Sequence, residues 1–249
     1  MKVNFLVAHA RGAAVIRQYS DAPVSTAHAL VEWQPQFPED DFDVTQARLV
    51  DWITNRFFFH AIRTGEVVLP FRDVETVPGL KDSCDYWALN YYTRHFISAR
   101  SGNCVAGRHD CNHIRMLPRP FYLEEFYPEG VILQLDRLRD RPVVITENGL
   151  SCDDDRLRIL YIARHLQALA EAERRGTRID GYFYWSLMDN YEWNSFVPRF
   201  GLVSVDFKTF RRTPKPSASF YREVIERNGF DRELVLKYLP EFQDWLIYR

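Results

Sequence analysis

No apolar run in the 249-residue sequence approaches the ~20 residues that a membrane span needs. The opening, MKVNFLVAHARG, has a short apolar stretch broken by His9 and Arg11, and it lacks a signal-peptide cleavage pattern. An excess of one charge sign is also missing. Lys and Arg number 32 against 34 Asp and Glu, a formal net charge of −2 that offers no footprint for nucleic acid or an anionic membrane. Cysteine is sparse: Cys84, Cys104, Cys111 and Cys152 are the only four, which points to reduced thiols and a cytoplasmic location. Internal repeats and low-complexity tracts are absent as well. A disordered tail, a collagen-like rod and a disulfide-knotted mini-protein are thereby excluded.

What is present is an ordinary globular composition, 46% hydrophobic and 27% charged. A domain of this length buries roughly three quarters of its unfolded surface, so a sizeable core needs no staples. Aromatics are high at 15%. They suit either a large core or a sugar-binding cleft.

Helix and strand signals alternate along the chain. Residues 3–19 read as a helix and Ser25 to Trp33 as a buried strand closed by Pro35 and Pro38. Asp43 is the expected N-cap of a long amphipathic helix reaching Gly65. Cys84 to Asn90 reads as a short strand, and Ser101 to Pro120 as a long irregular loop. A helix from Gly130 to Leu138 leads to the apolar strand Pro142 to Ile145. Asp153 to Asp155 cap a helix that stops at Gly176, followed by a strand from Asp180 to Trp185 and a helix from Pro216 to Ile225. Asp231 to Arg249 is an amphipathic extension with the stripe Leu234, Val235, Tyr238, Leu239, Phe242, Trp245 and Leu246. Strands separated by helices predict a parallel α/β sheet. About four core strands fit half an eight-stranded barrel, or a small open sheet.

Chemistry-bearing residues gather at the strand ends, where parallel α/β folds collect substrate-binding groups. Val143-Val144-Ile145-Thr146-Glu147-Asn148-Gly149 sets Glu147 at the end of an apolar strand. Asn-Gly is also a hairpin signal, but a capped helix comes next rather than a second strand. Tyr184 to Trp193 places Glu192 between the indoles Trp185 and Trp193, a pattern suited to sugar hydroxyls and the C–H face of a pyranose; as isolated residues both indoles would be core. Leu89-Asn90-Tyr91-Tyr92-Thr93 brings hydrogen-bonding groups to another strand end. Cys104, His109, Cys111 and His113 supply metal-ligand atom types, yet their spacing matches no recognised zinc pattern, and no metal site is assigned.

Taken in order, these segments carry a resemblance. Ala88 to Thr93, Tyr127-Pro128-Glu129-Gly130, Ile145 to Gly149, Asp180 to Trp193, Arg199 to Phe207 and Pro214 to Ala218 with Phe220-Tyr221 resemble glycoside hydrolase family 1. That is the β-glucosidase and 6-phospho-β-glycosidase family of TIM (β/α)8 barrels. The resemblance implies a retaining β-glycosidase with Glu147 as nucleophile and Tyr92 orienting it. It implies Asn90 beside them, Glu192 and Trp193 binding sugar hydroxyls, Trp185 as the floor under the ring and Phe200 packed beside it. No cofactor is implied, since both steps need only carboxylates and positioning.

The family's acid/base Asn-Glu-Pro motif occurs nowhere in the chain. In family sequences a helix like Ala8 to Arg17 comes after that motif, and here it lies at the N-terminus. The resemblance therefore implies the C-terminal half of the barrel, about strands five to eight over residues 1–228, with 229–249 as an extension. It implies a chain that is inactive alone or depends on a complementary half-barrel chain or self-association. A non-catalytic carbohydrate-binding protein or a truncated remnant is the alternative. Asn194 to Pro198 contains no lysine of the kind 6-phosphate-binding members use, which favours unphosphorylated β-glycosides.

Overall fold

The computed structural model describes residues 2–99, 104–106 and 125–241. Helix α1 (Lys2–Tyr19) precedes strand β1 (Ala27–Pro35), then α2 (Asp41–Asp51), a π-helical turn (Trp52–Arg56) and α3 (Phe57–Thr64). Two short strands, β2 (Glu66–Val67) and β3 (Glu75–Thr76), lead to β4 (Trp87–Ile97) and β5 (Cys104–Ala106). Next come helix α4 (Glu129–Leu135), β6 (Val143–Asn148), α5 (Asp155–Arg174) and β7 (Ile179–Tyr184). The hairpin β8 (Val203–Val205) and β9 (Arg212–Pro214), α6 (Pro216–Arg227) and α7 (Arg232–Tyr238) complete the order. No helix among the described residues is long and apolar enough to cross a membrane.

The expected alternation is present: β1, β4, β6 and β7 form one sheet in that order, every neighbour parallel, with β5 antiparallel on β4. Leu30, Leu89, Tyr91, Val143 and Ile145 point from the sheet into a core shared with α1, α3, α4 and α5. A second core joins α5 to α6 and α7 through Ile159, Ile162, Phe220, Leu234 and Val235. The described part of the C-terminal extension is thus packed into the body of the fold, with Leu234, Val235 and Leu239 buried. Residues 242–249 lie outside the described residues.

Local differences from the sequence expectations have physical reasons. The N-cap of α2 is Asp40, whose carboxylate accepts from the Phe42 N–H, not Asp43. Asp43 is buried and accepts from the backbone N–H groups of Phe37 and Ala99, tying the loop after β1 to the end of β4. The helix to Gly65 is interrupted by the π turn at Trp52–Arg56, which brings Asn55 against the outer edge of β1. There the Asn55 amide donates to Val31 O at 2.7 Å and accepts from Val31 N–H at 3.4 Å, standing in for a neighbouring strand. Gly65 ends α3 at φ 81°, a left-handed conformation suited to glycine. Strand β4 runs well past Asn90, because β1 continues to pair with it as far as Ile97.

Two register irregularities at the C-terminal ends of the strands place the polar groups. In β6, Leu89 pairs Ile145 but Asn90 pairs Glu147, so Thr146 and Glu147 share one step of β4. In β4, Leu30 pairs Tyr91 but Glu32 pairs Arg94, so Tyr92 and Thr93 oppose Val31 alone. These are β-bulges, each adding one residue and reversing the facing of the residues beyond it. Val143 and Ile145 face the core; the bulge keeps Glu147 off that side and returns Asn148 to it. The Asn148 side chain, 1% exposed, then bridges the strands: it donates to Tyr91 O at 2.7 Å and Tyr161 Oη at 3.0 Å, and accepts from Tyr182 Oη at 2.9 Å.

Replacing Asn148 by Ala takes a partner from three polar groups at once, and should lower the unfolding free energy by about 3 kcal/mol in urea denaturation. A loss below about 0.5 kcal/mol, the range of ordinary surface changes, would show that this bridge does not hold the sheet.

His28 makes a separate prediction. It donates from Nε2 to Thr54 O at 2.9 Å and stacks on Phe58 at 4.4 Å. Burial lowers its pKa from 6.5 to about 4, so the folded state holds it neutral. Its contribution to stability is complete above pH 6.5 and is lost as the pH falls toward 4. Stability measured across that window should fall less steeply in His28→Gln than in the parent; identical slopes would refute the assignment.

Candidate active site

The site is built where the two bulges meet. Tyr92, from β4, donates its hydroxyl to Glu147 Oε2 on β6 at 2.7 Å. One step down the strands, Thr146 Oγ1 donates to Asn90 Oδ1 at 2.6 Å. Two polar pairs therefore cross the β4–β6 seam side by side. Glu147 is half-buried, and Phe200, 2% exposed, sets its ring edge-on to Tyr92 with centroids 6.2 Å apart. One carboxylate oxygen of Glu147 is thus fixed by a phenol donor that is itself packed against Phe200.

Trp185 and Glu192 form the second group. The Trp185 indole N–H donates to Glu192 Oε1 at 2.9 Å, and Glu192 is 7% exposed. The backbone ties this group to the first: Trp185 N–H donates to Asn148 O at 2.9 Å, and Leu202 N–H to Ser186 O at 2.9 Å, next to Phe200. The crossing is so close that a Cβ on Gly149 would lie 1.8 Å from Trp185 O, which only glycine permits. Gly201 is equally constrained, since a Cβ there would meet Asp189 N at 2.2 Å.

Trp193 stands apart. Glu192 and Ser195 exchange backbone hydrogen bonds at 2.8 and 2.9 Å, leaving Trp193 and Asn194 as the two central residues of a tight hairpin at φ 44° and 72°. Its ring is 79% exposed at the hairpin tip. The structure thus brings together Asn90, Tyr92, Glu147 and Phe200, and pairs Trp185 with Glu192, while Trp193 projects into solvent.

Sequence reasoning passed over the residues that hold these groups in place. Thr146 and Asn148 flank the nucleophile candidate, and Tyr161 and Tyr182 complete the amide bridge. Burial of its ring pushes the Tyr182 phenol well above its usual range, so it remains a donor to Asn148. Arg158, fully buried, ties the loop after β6 to the Arg199 region: it donates to Cys152 O at 2.9 Å and Arg199 O at 2.6 Å, and pairs with Asp155. Only Asn148, beside the Asn-Gly signal, had a sequence cue of its own.

Of the sulfur and imidazole cluster, His109, Cys111 and His113 lie outside the described residues, and Cys104 is described only as part of β5. Among the described residues no group of three or more His, Cys, Asp or Glu could hold a metal ion.

Comparison with known proteins gives the site its context. The profile of the family described as glycosyl hydrolase family 1 matches residues 1–230. The chain is 35% identical over 245 residues to a β-galactosidase of Sulfolobus acidocaldarius, covering 94% of this chain and 49% of that protein. It is 30% identical over 276 residues to a 6-phospho-β-galactosidase of Staphylococcus haemolyticus, covering 90% and 59%. A solved β-glycosidase from Pyrococcus horikoshii superposes with a TM-score of 0.78 at 32% identity, covering 94% of this chain and 55% of that one. A β-glucosidase from Thermotoga maritima in complex with glucoimidazole gives 0.79 at 29%, covering 92% and 56%. The chain spans about half the length of the curated relatives it matches. Its four parallel strands are part of the TIM-barrel architecture that these neighbours imply. On the family profile and the identity to the archaeal β-galactosidases, the chain belongs to glycosyl hydrolase family 1.

Proposed function

We propose that this chain carries the nucleophile side of a retaining β-glycosidase and corresponds to strands five to eight of the family barrel. The observation that carries the reading is the 2.7 Å hydrogen bond from Tyr92 to Glu147. It fixes a carboxylate at the C-terminal end of a parallel strand, where barrel enzymes do their chemistry. In a double displacement, Glu147 attacks the anomeric carbon to form a glycosyl-enzyme and water later releases the sugar. Tyr92 holds the carboxylate oriented while it is anionic. Phe200 backs Tyr92. Asn90, Trp185 and Glu192 bind the glycone, Glu192 through hydroxyl contacts and Trp185 as a platform, with Trp193 reaching the sugar from the hairpin tip. The substrate class is an unphosphorylated β-glycoside or oligosaccharide, in keeping with the lysine-free segment Asn194 to Pro198.

The proton-delivering carboxylic acid is not among these residues. General acid assistance is worth typically 10²–10⁴-fold, so ordinary glycosides should turn over very slowly. We assign the acid to a complementary half-barrel supplied by another chain, with self-association as the other way to cover the open face of the sheet. Phe183, 60% exposed on the side of the sheet away from the core, and Leu187, 66% exposed just beyond β7, support a covering element there.

An activated substrate tests the nucleophile without needing the acid. After incubation with 2,4-dinitrophenyl 2-deoxy-2-fluoro-β-D-glucoside, intact mass should show one fluoroglycosyl adduct mapping to Glu147, absent in Glu147→Ala. Folded protein that gains no adduct would favour the carbohydrate-binding or remnant reading. An adduct persisting in Glu147→Ala would overturn the assigned nucleophile.

A further inference from the structure

On the core side of β4, opposite Glu147, lies a buried polar cluster that the double displacement does not use. Thr93, the second residue of the β4 bulge, is 5% exposed. Its hydroxyl accepts from Glu125 N–H at 2.7 Å and donates to Glu125 O at 3.1 Å, so it takes both backbone groups of that residue. Arg94 comes next. It pairs in register with Glu32, which places it on the side reached by α4, where Gln134 donates to Glu32 Oε2 at 2.6 Å. Without the bulge Arg94 would share a face with Tyr92.

Arg94 is itself held from several directions. Its Nε donates to Glu125 Oε2 at 2.8 Å and its Nη1 to Gln34 Oε1 at 3.0 Å. Its guanidinium lies 3.9 Å from the Tyr127 ring centroid and 4.6 Å from that of Phe96. The Arg94 and Glu125 side chains are 6% and 11% exposed. A buried pair of this kind is poor evidence for stability, since desolvation offsets much of its attraction; here its hydrogen bonds tie Glu125 and Gln34 to β4. Tyr91, immediately before the bulge, donates to Tyr127 O at 2.7 Å. The segment Glu125–Tyr127 therefore grips β4 on both sides of Tyr92.

We propose that Thr93, Arg94 and Glu125 form a clamp that sets the β4 bulge and thereby the aim of the Tyr92 hydroxyl at Glu147. They are positioning residues, since none of them is in hydrogen-bonding contact with Glu147. The physical argument is the strand period. Tyr92 can face Glu147 while Arg94 faces the core only if one extra residue is accommodated between Tyr91 and Arg94. The groups that the bulge withdraws from the ladder need partners. Tyr92 O, inside the bulge, takes the Tyr161 hydroxyl at 3.2 Å, Tyr91 O on the β6 side takes the Asn148 amide, and the Thr93 side chain anchors the bulge to the Glu125 backbone. If the Glu125 contacts are lost, the cheapest repair is for β4 to slip back into regular alternation, and Tyr92 turns from Glu147.

The inference rests on the Tyr92–Glu147 pairing of the proposed function, and its test reads that pairing directly. Protein carrying ¹³Cζ-labelled tyrosine gives a phenol resonance sensitive to whether the O–H donates to a carboxylate; the Tyr92 signal is the one missing in Tyr92→Phe. Glu147→Gln should move it. Thr93→Val, which keeps the side-chain shape and removes the hydroxyl, should move it in the same direction, and Thr93→Ser should leave it at the parent position. Because Thr93→Val could unfold the chain, the charge-neutral pair Arg94→Met with Glu125→Gln provides a second route and should give the same displacement. If Glu147→Gln moves the resonance and folded clamp variants do not, the clamp is overturned and the nucleophile pairing survives. If Glu147→Gln itself leaves the resonance unmoved, the hydrogen bond is absent and both readings fail.

Discussion

A β-strand shows alternate side chains to opposite faces, and that period is the constraint on which the site depends. In β6, Val143 and Ile145 belong to the core, so Glu147 would be driven among apolar side chains if alternation continued unbroken. Burying an unpaired carboxylate there would cost several kcal/mol. One extra residue at Thr146–Glu147 removes the conflict, turning the carboxylate to the opposite face and sending the neutral amide of Asn148 inward instead. An amide can satisfy every group it meets inside a core, because it carries both donors and an acceptor. Asn148 uses them all on β4, β7 and α5, which pins the bulge that created its position.

The surroundings of the site obey the same logic. Tyr91 is buried and Tyr182 partly so, and burial pushes both phenols well above their usual range, so they remain neutral donors. Burial likewise raises the Glu32 carboxyl, against the Gln134 donor that would favour its anion. Buried hydroxyls and amides brace the strands, while Glu147 keeps a half-exposed position. Fixed dipoles of this kind need no rearrangement when charge changes at a neighbouring carboxylate.

What the sequence disclosed was whatever has a local signature. Apolar runs marked the strands, Asp154 capped α5 as the acidic cluster suggested, and Gly176 ended that helix at φ 100°. Strand-end position drew attention to Glu147, Glu192 and Asn90, and ordered motifs tied them to one family. What it concealed depends on partners distant in the chain. A bulge has no composition of its own: the expected strand stopped at Asn90, and nothing local marks Thr93 and Arg94 until their register with β1 is known. Asp40 and Asp43 are both acceptable caps locally. The N–H groups of Phe37 and of Ala99, the latter 56 residues away, draw Asp43 into the interior. The sequence placed Trp193 beside Glu192, but did not disclose that a two-residue hairpin between Glu192 and Ser195 would set its indole at an exposed tip.

The distribution of supporting contacts bears on how the two carboxylates of a retaining site can be separated. Each group described around Glu147 belongs to β4, β6, β7, α5 or the Phe200 loop: Tyr92, Asn90, Thr146, Asn148 and the tyrosines behind them. Tyr92 is steadied from the far side of β4, again within this chain. Among the described residues, the contacts that orient the proposed nucleophile therefore come from the parallel sheet, α5 and the Phe200 loop. Proton delivery is different, because an acid must approach the leaving oxygen from the opposite side of the glycosidic bond. A barrel divided outside β1 and β7 would, on this proposal, leave the described hydrogen bonds around Glu147 on one side of the cut. Under the proposed reading, closure by a complementary half has only to bring an acid within reach of a carboxylate already held in place.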